Sequence, residues 1–329
     1  MNHERRTFTR AGLAVACLPS LLAPRRAAAQ DYPVRPVTIT VGYGAGDNID
    51  LMVRLLGSKA EKALGQPLVI VNRPGAAGAV ALTTLAKEKP DGYQLAAVLD
   101  TAIARLPVLR RMGYRMDDFA PVAQFATGVT GVVVKASAPW KTLPEMVEYA
   151  RSHPGQLTYT TTGPGTTMHV AFQHIEQQSG IQWTHVPYPA AKQGLAAVLG
   201  GHVMAAVGST QWVPEVRDGS MRLLAVISEQ RMTAFPEVPT LRELGYDFAA
   251  SAGSVLVAPK ETPAAVIARL DQAVRKAMED PEYQQLMRNI YHEPTYRGSE
   301  ALKRHLDAAN KEFARMVAAL KIPTEFDAR

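Results

Sequence analysis

Cysteine is nearly absent from this chain of 329 residues, and the single Cys17 lies in the N-terminal segment. We predict that this segment, residues 1–29, is an export signal that is removed, which leaves a mature chain without cysteine. Disulfides, thiolate metal sites and cysteine nucleophiles are thereby excluded. After the N-terminus, no apolar run approaches the roughly 18 residues of a membrane-spanning helix, and we expect none in the mature chain.

Recognisable catalytic and metal-binding motifs are also missing. The chain has neither H-E-x-x-H nor a serine in a G-x-S-x-G elbow. The spacing of metal ligands is not found among His153, His174, His185 and His202. We therefore expect a protein that is not an enzyme and that holds no metal or cofactor. An enzyme whose site assembles from distant residues is the weaker alternative.

A strong excess of one charge is missing from the mature chain as well. Residues 1–29 contain five Arg and one Glu, so their removal lowers the formal net charge from +6 to +2. The basic balance belongs mostly to the signal. It therefore gives no reason to expect a nucleic-acid partner.

The N-terminus has the features of a twin-arginine signal. Arg5 and Arg6 precede a weakly apolar region, and residues 27–29 offer an A-x-A cleavage site. An ordinary export signal is the alternative, and lipidation at Cys17 is disfavoured because the apolar run before it is short. In either case we expect a soluble protein of the periplasm.

Residues 37–50, V-T-I-T-V-G-Y-G-A-G-D-N-I-D, organise the mature chain. Five apolar or β-branched residues predict a buried strand, and three glycines follow. Asp47 and Asn48 are favoured N-cap residues, and a helical pattern runs from Ile49 to Gly65. Such a strand, loop and helix start leave backbone N–H groups at the positive end of a helix, which predicts a site for an anion or a carboxylate.

Residues 161–169, T-T-G-P-G-T-T-M-H, repeat the same arrangement. Gly163 and Gly165 allow close approach of a ligand, and Thr166 is able to cap the next helix. Two helix starts that face each other across a cleft would grip one anionic group. Two ordinary strand-to-helix turns are the alternative, and His169 is more readily explained as a packing residue.

Neither loop predicts a nucleotide site. Gly42, Gly44 and Gly46 lack the G-x-G-x-x-G spacing, and the second strand ends in Asn72-Arg73 rather than in an acid. No Gly-Lys-Ser/Thr follows either loop, which argues against a phosphate loop.

The order of predicted elements indicates an α/β fold with two lobes. A β-α-β-α-β series opens the mature chain and predicts a parallel sheet, and a second α/β series follows residue 135. We predict that residues 31–127 and 251–329 form lobe 1 and that residues 128–250 form lobe 2. Two β segments cross between the lobes, near 121–135 and 248–258, and act as a hinge.

The chain resembles the Bug type of periplasmic solute receptor, the substrate-binding component of tripartite tricarboxylate transporters. The resemblance runs from about residue 32 to about residue 320. Its motifs include L-G-Q-P-L-V-I-V-N-R-P-G-A at 64–76, P-D-G-Y at 90–93, G-x-G-T-x-x-H at 163–169, H-V-P-Y at 185–188 and F-P-E-V-P-T at 235–240.

This resemblance implies a two-lobed periplasmic binding protein that closes on a small organic acid, either a carboxylate or an amphoteric relative, and has no cofactor. It implies delivery of the ligand to permease subunits in the membrane, and a signalling protein is the alternative partner. In such a receptor a ligand carboxylate is held mainly by backbone N–H groups and hydroxyls of two loops. The corresponding residues here are Tyr43, Gly44, Ala45, Gly46, Asp47 and Asn48 in the first loop and Thr162, Gly163, Gly165, Thr166 and His169 in the second. The resemblance further implies that the far end of the ligand is enclosed by Asp100, Thr101, Tyr188, Ala190 and Ala191.

The first loop departs from the family's pattern. Ile49 replaces a hydroxyl, and Asp47 replaces a glycine and puts a negative charge close to the expected ligand carboxylate. Two such charges roughly 4 Å apart repel by about 4 kcal/mol at an effective dielectric constant near 20. We therefore expect Asp47 to point away, to cap the helix, or to face a positive group, and Arg105 is a candidate to offset it.

Overall fold

The computed structural model describes residues 32–161, 163, 166–188, 191–319 and 324. Within these residues the strands are β1 (Val37–Val41), β2 (Leu68–Asn72), β3 (Gln94–Leu99), β4 (Phe119–Gly128), β5 (Gly131–Lys135), β6 (Thr158–Thr160), β7 (Thr184–His185), β8 (Ala205–Gly208), β9 (Met221–Val226), β10 (Ala252–Pro259), β11 (His292–Glu293) and β12 (Arg297–Gly298).

The α-helices alternate with these strands over most of the chain. They are α1 (Asn48–Leu64), α2 (Ala79–Leu85), α3 (Asp100–Ala104), α4 (Leu106–Leu109), α5 (Leu143–Ser152), α6 (Thr167–Ser179), α7 (Ala191–Leu199), α8 (Val213–Arg217), α9 (Ala264–Met278), α10 (Pro281–Asn289) and α11 (Ser299–Ala319). None of the described helices combines the length and the apolar character that a membrane span requires.

The strands form two separate sheets. The first has the order β11-β4-β10-β3-β1-β2, with β12 also paired to β4, and the second has the order β7-β6-β8-β5-β9. In the first sheet β1 runs parallel to β2 and β3, which confirms the parallel sheet predicted from the opening β-α-β-α-β series. In the second, β6 runs parallel to β7 and β8, while β5 is antiparallel to β8 and β9.

The first helix follows its sequence pattern closely. Its buried side chains, among them Met52, Val53 and Leu56, recur at helical spacing and pack toward the sheet. Gly65 ends the helix in the left-handed conformation, with φ of 74°, and its N–H bonds to the carbonyl of Glu61. The predicted start at Ile49 and end at Gly65 are thus confirmed within one residue.

The Ala-rich stretch after β2 does not form one continuous helix over residues 76–89. A short 3₁₀ turn covers Ala76–Gly78, and α2 then spans only seven residues. The backbone of Ala77 has φ of 54° and that of Gly78 has φ of 95°, so the chain turns sharply before α2 starts. Alanine content predicts helix, but these left-handed residues interrupt it.

The chain crosses between the sheets at one narrow point. Strand β4 ends in the first sheet at Gly128 and β5 begins in the second at Gly131. The chain returns just before β10, where Ala252 pairs with Gly128. Ile227 bridges the two crossing segments, because its N–H bonds to the carbonyl of Thr130 (2.8 Å) and its carbonyl accepts the N–H of Ala250 (2.7 Å). The crossing segments therefore lie side by side, as the predicted hinge requires.

The second sheet is buried on both faces. Val132 and Val134 of β5 point into one apolar cluster, while Val133 points into another, because side chains alternate along a strand. Phe313 and Val317 of α11 pack into the first of these clusters. The strands of the first sheet lie within residues 37–128 and 252–298 and those of the second within 131–226. The lobe boundaries themselves stay a prediction.

Candidate functional site

The two loops singled out in the sequence both connect a strand to the start of a helix. Residues 42–47, the first glycine loop, join β1 to α1 in the first sheet. Residues 161–166, the second glycine loop, join β6 to α6 in the second sheet. Each loop lies at the carboxyl end of a strand that has parallel neighbours, which is where open α/β sheets bind ligands.

A buried carboxylate shapes the first glycine loop. Asp50 is 2% exposed, and its Oδ2 accepts the N–H of Gly46 at 2.9 Å and Nε of Arg54 at 3.0 Å. Its Oδ1 accepts Nδ2 of Asn72 at 2.8 Å, and the same amide nitrogen donates to the carbonyl of Tyr43 at 3.1 Å. Burial raises the pKa of Asp50, but the hydrogen bonds from Arg54, Gly46 and Asn72 outweigh it and hold the pKa below its usual value.

Gly46 itself has φ of 81°, a backbone conformation that favours glycine. The sequence interpretation did not include this network. Its only local signal was the acid–base spacing of Asp50 and Arg54, four residues apart.

Asp47 turns back into the loop rather than capping the helix. Its Oδ2 accepts the N–H of Gly44 at 2.9 Å, and no side chain among the described residues caps the start of α1. Of the three alternatives expected for Asp47, a side-chain cap on α1 is not formed, although Asp47 occupies the N-cap position and its carbonyl accepts the N–H of Leu51 at 3.0 Å. Asp47 is exposed, whereas Gly44 is partly buried. Its carboxylate thus takes a backbone N–H that we predicted for a ligand.

The other predicted residues of the first loop differ in their surroundings. The hydroxyl of Tyr43 points inward and donates to the carbonyl of Ala77 at 3.0 Å, and burial raises its pKa. Ala45 is exposed, and Asn48 is the partly exposed first residue of α1. Tyr43 therefore presents its backbone, rather than its hydroxyl, to this edge of the sheet.

Asp100 and Thr101 start α3 directly after β3, the parallel neighbour of β1. Asp100 is 2% exposed, and its Oδ2 lies 3.1 Å from Nε2 of His305 on α11. A Cβ atom at Gly253 would lie 2.9 Å from the same oxygen, so the carboxylate is enclosed. Thr101 is partly exposed. Asp100 thus fastens α3 to α11 and orients the end of β3.

The second glycine loop is held by hydroxyl groups. The N–H of Gly163 donates to Oγ1 of Thr161 at 3.1 Å, and this oxygen lies 2.9 Å from Nε2 of His185. The hydroxyl of Thr166 donates to the carbonyl of Gly163 at 2.8 Å. Gly163 has φ of 143°, where a side chain would be strained. No carboxylate takes part in these contacts.

Thr166 caps α6 as the sequence predicted. Its Oγ1 accepts the N–H of His169 at 3.3 Å. The rings of His169 and His185 are 4.4 Å apart between centroids. Burial, followed by the neighbouring His185, lowers the pKa of His169 to about 4, and burial lowers the pKa of His185. Both rings therefore favour the neutral form at pH 7, and the His185 ring contributes a hydrogen bond to Thr161 rather than a charge.

Arg105 lies at the junction of α3 and α4 and reaches across to the second glycine loop. Its Nη1 donates to Oγ1 of Thr167, the first residue of α6, at 2.9 Å. Its guanidinium carbon lies 5.8 Å from the centroid of the Phe313 ring. No ion pair joins Arg105 to Asp47 in the described part of the chain. Arg105 therefore does not offset the negative charge of Asp47 through a direct contact. Instead, Arg105 brings a positive charge from the element after β3 to the start of α6.

Tyr188 and Ala191 lie beside the second glycine loop. The N–H of Tyr188 donates to the carbonyl of Thr161 at 3.1 Å, and Ala191 is the first residue of α7. Ala191 and Thr161 also line a small cavity together with Ser209, which the site prediction did not include. The predicted residues Thr162, Gly165 and Ala190 lie outside the described residues. Among the described residues, no group of His, Asp and Glu is arranged to hold a metal ion.

Two sheets, two crossing segments and two loop–helix starts at strand ends define the two-lobed fold of periplasmic binding proteins. The chain belongs to the tripartite tricarboxylate transporter family receptor proteins, whose family model matches residues 52–322. It is 37% identical over 301 residues to the UPF0065 protein in the gbd 5′ region of Cupriavidus necator, covering 90% of this chain and 92% of that protein. The resemblance to Bug-type receptors is thereby confirmed.

Solved structures agree with this assignment. A Rhodopseudomonas palustris protein with adipate matches at a TM-score of 0.78 and 26% identity, over 89% of this chain and 99% of its own. MatC from Rhodopseudomonas palustris with bound malate matches at a TM-score of 0.75 and 27% identity, over 87% of this chain and 100% of its own. Both relatives contain a carboxylate ligand, and the predicted fold class is confirmed.

Proposed function

We propose that this chain is an exported receptor that captures a small organic acid between its two lobes and delivers it to permease subunits in the membrane. The observation that carries the proposal is the meeting of elements from both sheets at the start of α6. There, Arg105 from the junction after β3 contacts Thr167, and Thr166 caps the helix. The carboxylate ligands of the two Rhodopseudomonas palustris relatives support an acid as the ligand class.

The binding mode that we propose uses the second glycine loop and the first turn of α6 as the anion site. Backbone N–H groups at a helix start carry partial positive charge, and hydroxyls at Thr161 and Thr166 hold the loop in shape. The guanidinium of Arg105 adds a full charge. Binding of this kind requires no proton transfer or covalent step, so the proposed activity is capture without turnover.

Export and delivery are parts of the same proposal. The twin-arginine pattern at Arg5 and Arg6 supports transfer of the chain to the periplasm, and the family model supports a permease partner. A receptor on that side of the membrane delivers its ligand by docking closed and opening on the permease.

Calorimetric titration of the mature chain, residues 30–329, tests the proposal. Dicarboxylates, tricarboxylates, hydroxy acids, amino acids and aromatic acids are titrated after native mass spectrometry has identified any retained ligand. We expect one class to bind with saturable heat and to raise the melting temperature. The matching amides serve as control ligands and should not bind. Absence of heat and of thermal shift with every acid at saturating concentration would contradict the proposal.

A further inference from the structure

The two glycine loops differ in charge, although their sequences follow the same pattern: the first contains the carboxylate of Asp47, whereas the second contains no charged residue. In the first loop, the N–H groups of Gly44 and Gly46 are both bonded to carboxylates of the protein itself, those of Asp47 and Asp50, each at 2.9 Å. Arg54 lies 3.0 Å from Asp50 and balances its charge. Asp47 takes part in no ion pair within the described part of the chain. The first loop therefore presents a carboxylate as a hydrogen-bond acceptor, and two of its backbone N–H groups are already bonded within the protein.

The second glycine loop is held without carboxylates. Its hydrogen bonds come from hydroxyls and backbone groups, and its two histidines are uncharged at neutral pH. Arg105 is half-buried beside the start of α6, with the neutral hydroxyl of Thr167 as its hydrogen-bond acceptor. Among the described residues, no carboxylate forms an ion pair with it. A guanidinium at the positive end of a helix is unfavourable unless an anion joins the two.

Asp47 and Arg105 lie at the same edge of the first sheet. Asp47 lies in the loop after β1, Arg105 lies at the end of α3, the short helix that begins directly after β3, and β1 and β3 are parallel neighbours. A ligand at this edge therefore has one end near an acceptor and the other near a cation. A dicarboxylate fits only one of these two ends, because its second carboxylate meets Asp47.

We infer that the ligand is an acid with a single carboxylate, held by Arg105 and the start of α6, and with a hydroxyl or ammonium group directed at Asp47. This inference rests on the proposed function and adds the ligand class to it. Asp47 and Arg105 are then the residues that determine specificity. The protein would discriminate against dicarboxylates such as those in its Rhodopseudomonas palustris relatives.

The test compares acids of matched length with the mature chain. The probes are succinate, 4-hydroxybutanoate and 4-aminobutanoate; adipate, 6-hydroxyhexanoate and 6-aminohexanoate; and terephthalate with 4-hydroxybenzoate. We expect a hydroxy or amino acid to bind at least about tenfold more tightly than the dicarboxylate of its set, which is the size of effect that one unpaired charge gives.

Three variants separate the roles. Asp47→Asn should reduce or reverse the preference by about tenfold, because the repelling charge is gone while a hydrogen-bonding side chain stays. Arg105→Gln should weaken every acid by about tenfold or more, and Arg105→Lys should recover part of the loss. Asp247→Asn, an exposed aspartate (93%) in the segment that leads back to β10, is the matched control and should change nothing.

The outcomes distinguish this inference from the proposed function. Tighter binding of a dicarboxylate than of its hydroxy and amino counterparts, or a preference that Asp47→Asn leaves unchanged, would overturn the charge assignment while the receptor function stands. Failure of the whole acid panel to bind would overturn both. Unchanged affinity in Arg105→Gln would remove Arg105 from the site.

Discussion

The first and second glycine loops both connect a strand to the start of a helix, but different groups hold them. The first is held by buried and exposed carboxylates that accept loop N–H groups, with Asp50 at its centre. The second is held by threonine hydroxyls, with Thr161 and Thr166 bonded around Gly163. Carboxylates leave the first loop with excess acceptors, whereas hydroxyls leave the second neutral. Loops with a common sequence pattern can therefore differ in charge.

The largest effect that separates the loops is expected from Gly163→Val. At φ of 143° a β-branched side chain is strained by about 1–3 kcal/mol, and relief of that strain moves the loop away from the start of α6. We expect binding of the cognate acid to be abolished in titration calorimetry. Gly219→Val is the matched control, since Gly219 is exposed with φ of 80° in a turn before β9. It should lose similar stability and keep its affinity; retained affinity in Gly163→Val would exclude the second loop from the site.

Asp50→Ala tests whether one carboxylate holds the first loop. The change leaves the N–H of Gly46 and the amide of Asn72 without their acceptor, which should destabilise the protein by about 2–3 kcal/mol in urea unfolding. Asp307→Ala is the control, because it removes an exposed pair with Lys303 at the same four-residue spacing and should cost under about 0.5 kcal/mol. Equal losses in the two variants would show that burial of Asp50 does not matter.

Asp50 also makes the free energy of unfolding depend on pH. Because its pKa is lowered in the folded protein, its contribution to stability is complete above the usual pKa of an aspartate. The contribution is lost as the pH falls through the lowered value. Unfolding free energies measured from pH 7 down to pH 3 should therefore decline less steeply in Asp50→Ala than in the wild type.

The smallest effect is expected from loss of the helix cap at Thr166. Thr166→Ala should cost about 1 kcal/mol, and Thr142→Ala should cost a similar amount, because Thr142 caps α5 through the N–H of Glu145. Only Thr166→Ala should also weaken acid binding, because Thr166 belongs to the second glycine loop and Thr142 belongs to neither loop. Equal affinities for the two variants, measured at a temperature where both are folded, would mean that the cap matters for stability alone.

The sequence by itself determined the local structure of this protein. Strand β1, helix α1 with its Gly65 end and the cap at Thr166 follow from apolar spacing, glycine conformation and hydroxyl placement, all within a few residues. The parallel opening of the first sheet followed from the order of those elements. Family membership could also be predicted, since its motifs are continuous in the chain.

Only the tertiary structure decided which partners the polar groups of the site have. Asp100 meets His305 across 205 positions and Arg105 meets Thr167 across 62, and no local pattern encodes either contact. Whether Asp47 caps a helix or accepts the N–H of Gly44 is a choice between two hydrogen bonds of similar energy, and the fold of the whole loop settles it. Charge at the proposed site depends on these long-range choices, so the sequence predicts which loops form the site, whereas the ligand class that we infer depends on tertiary contacts.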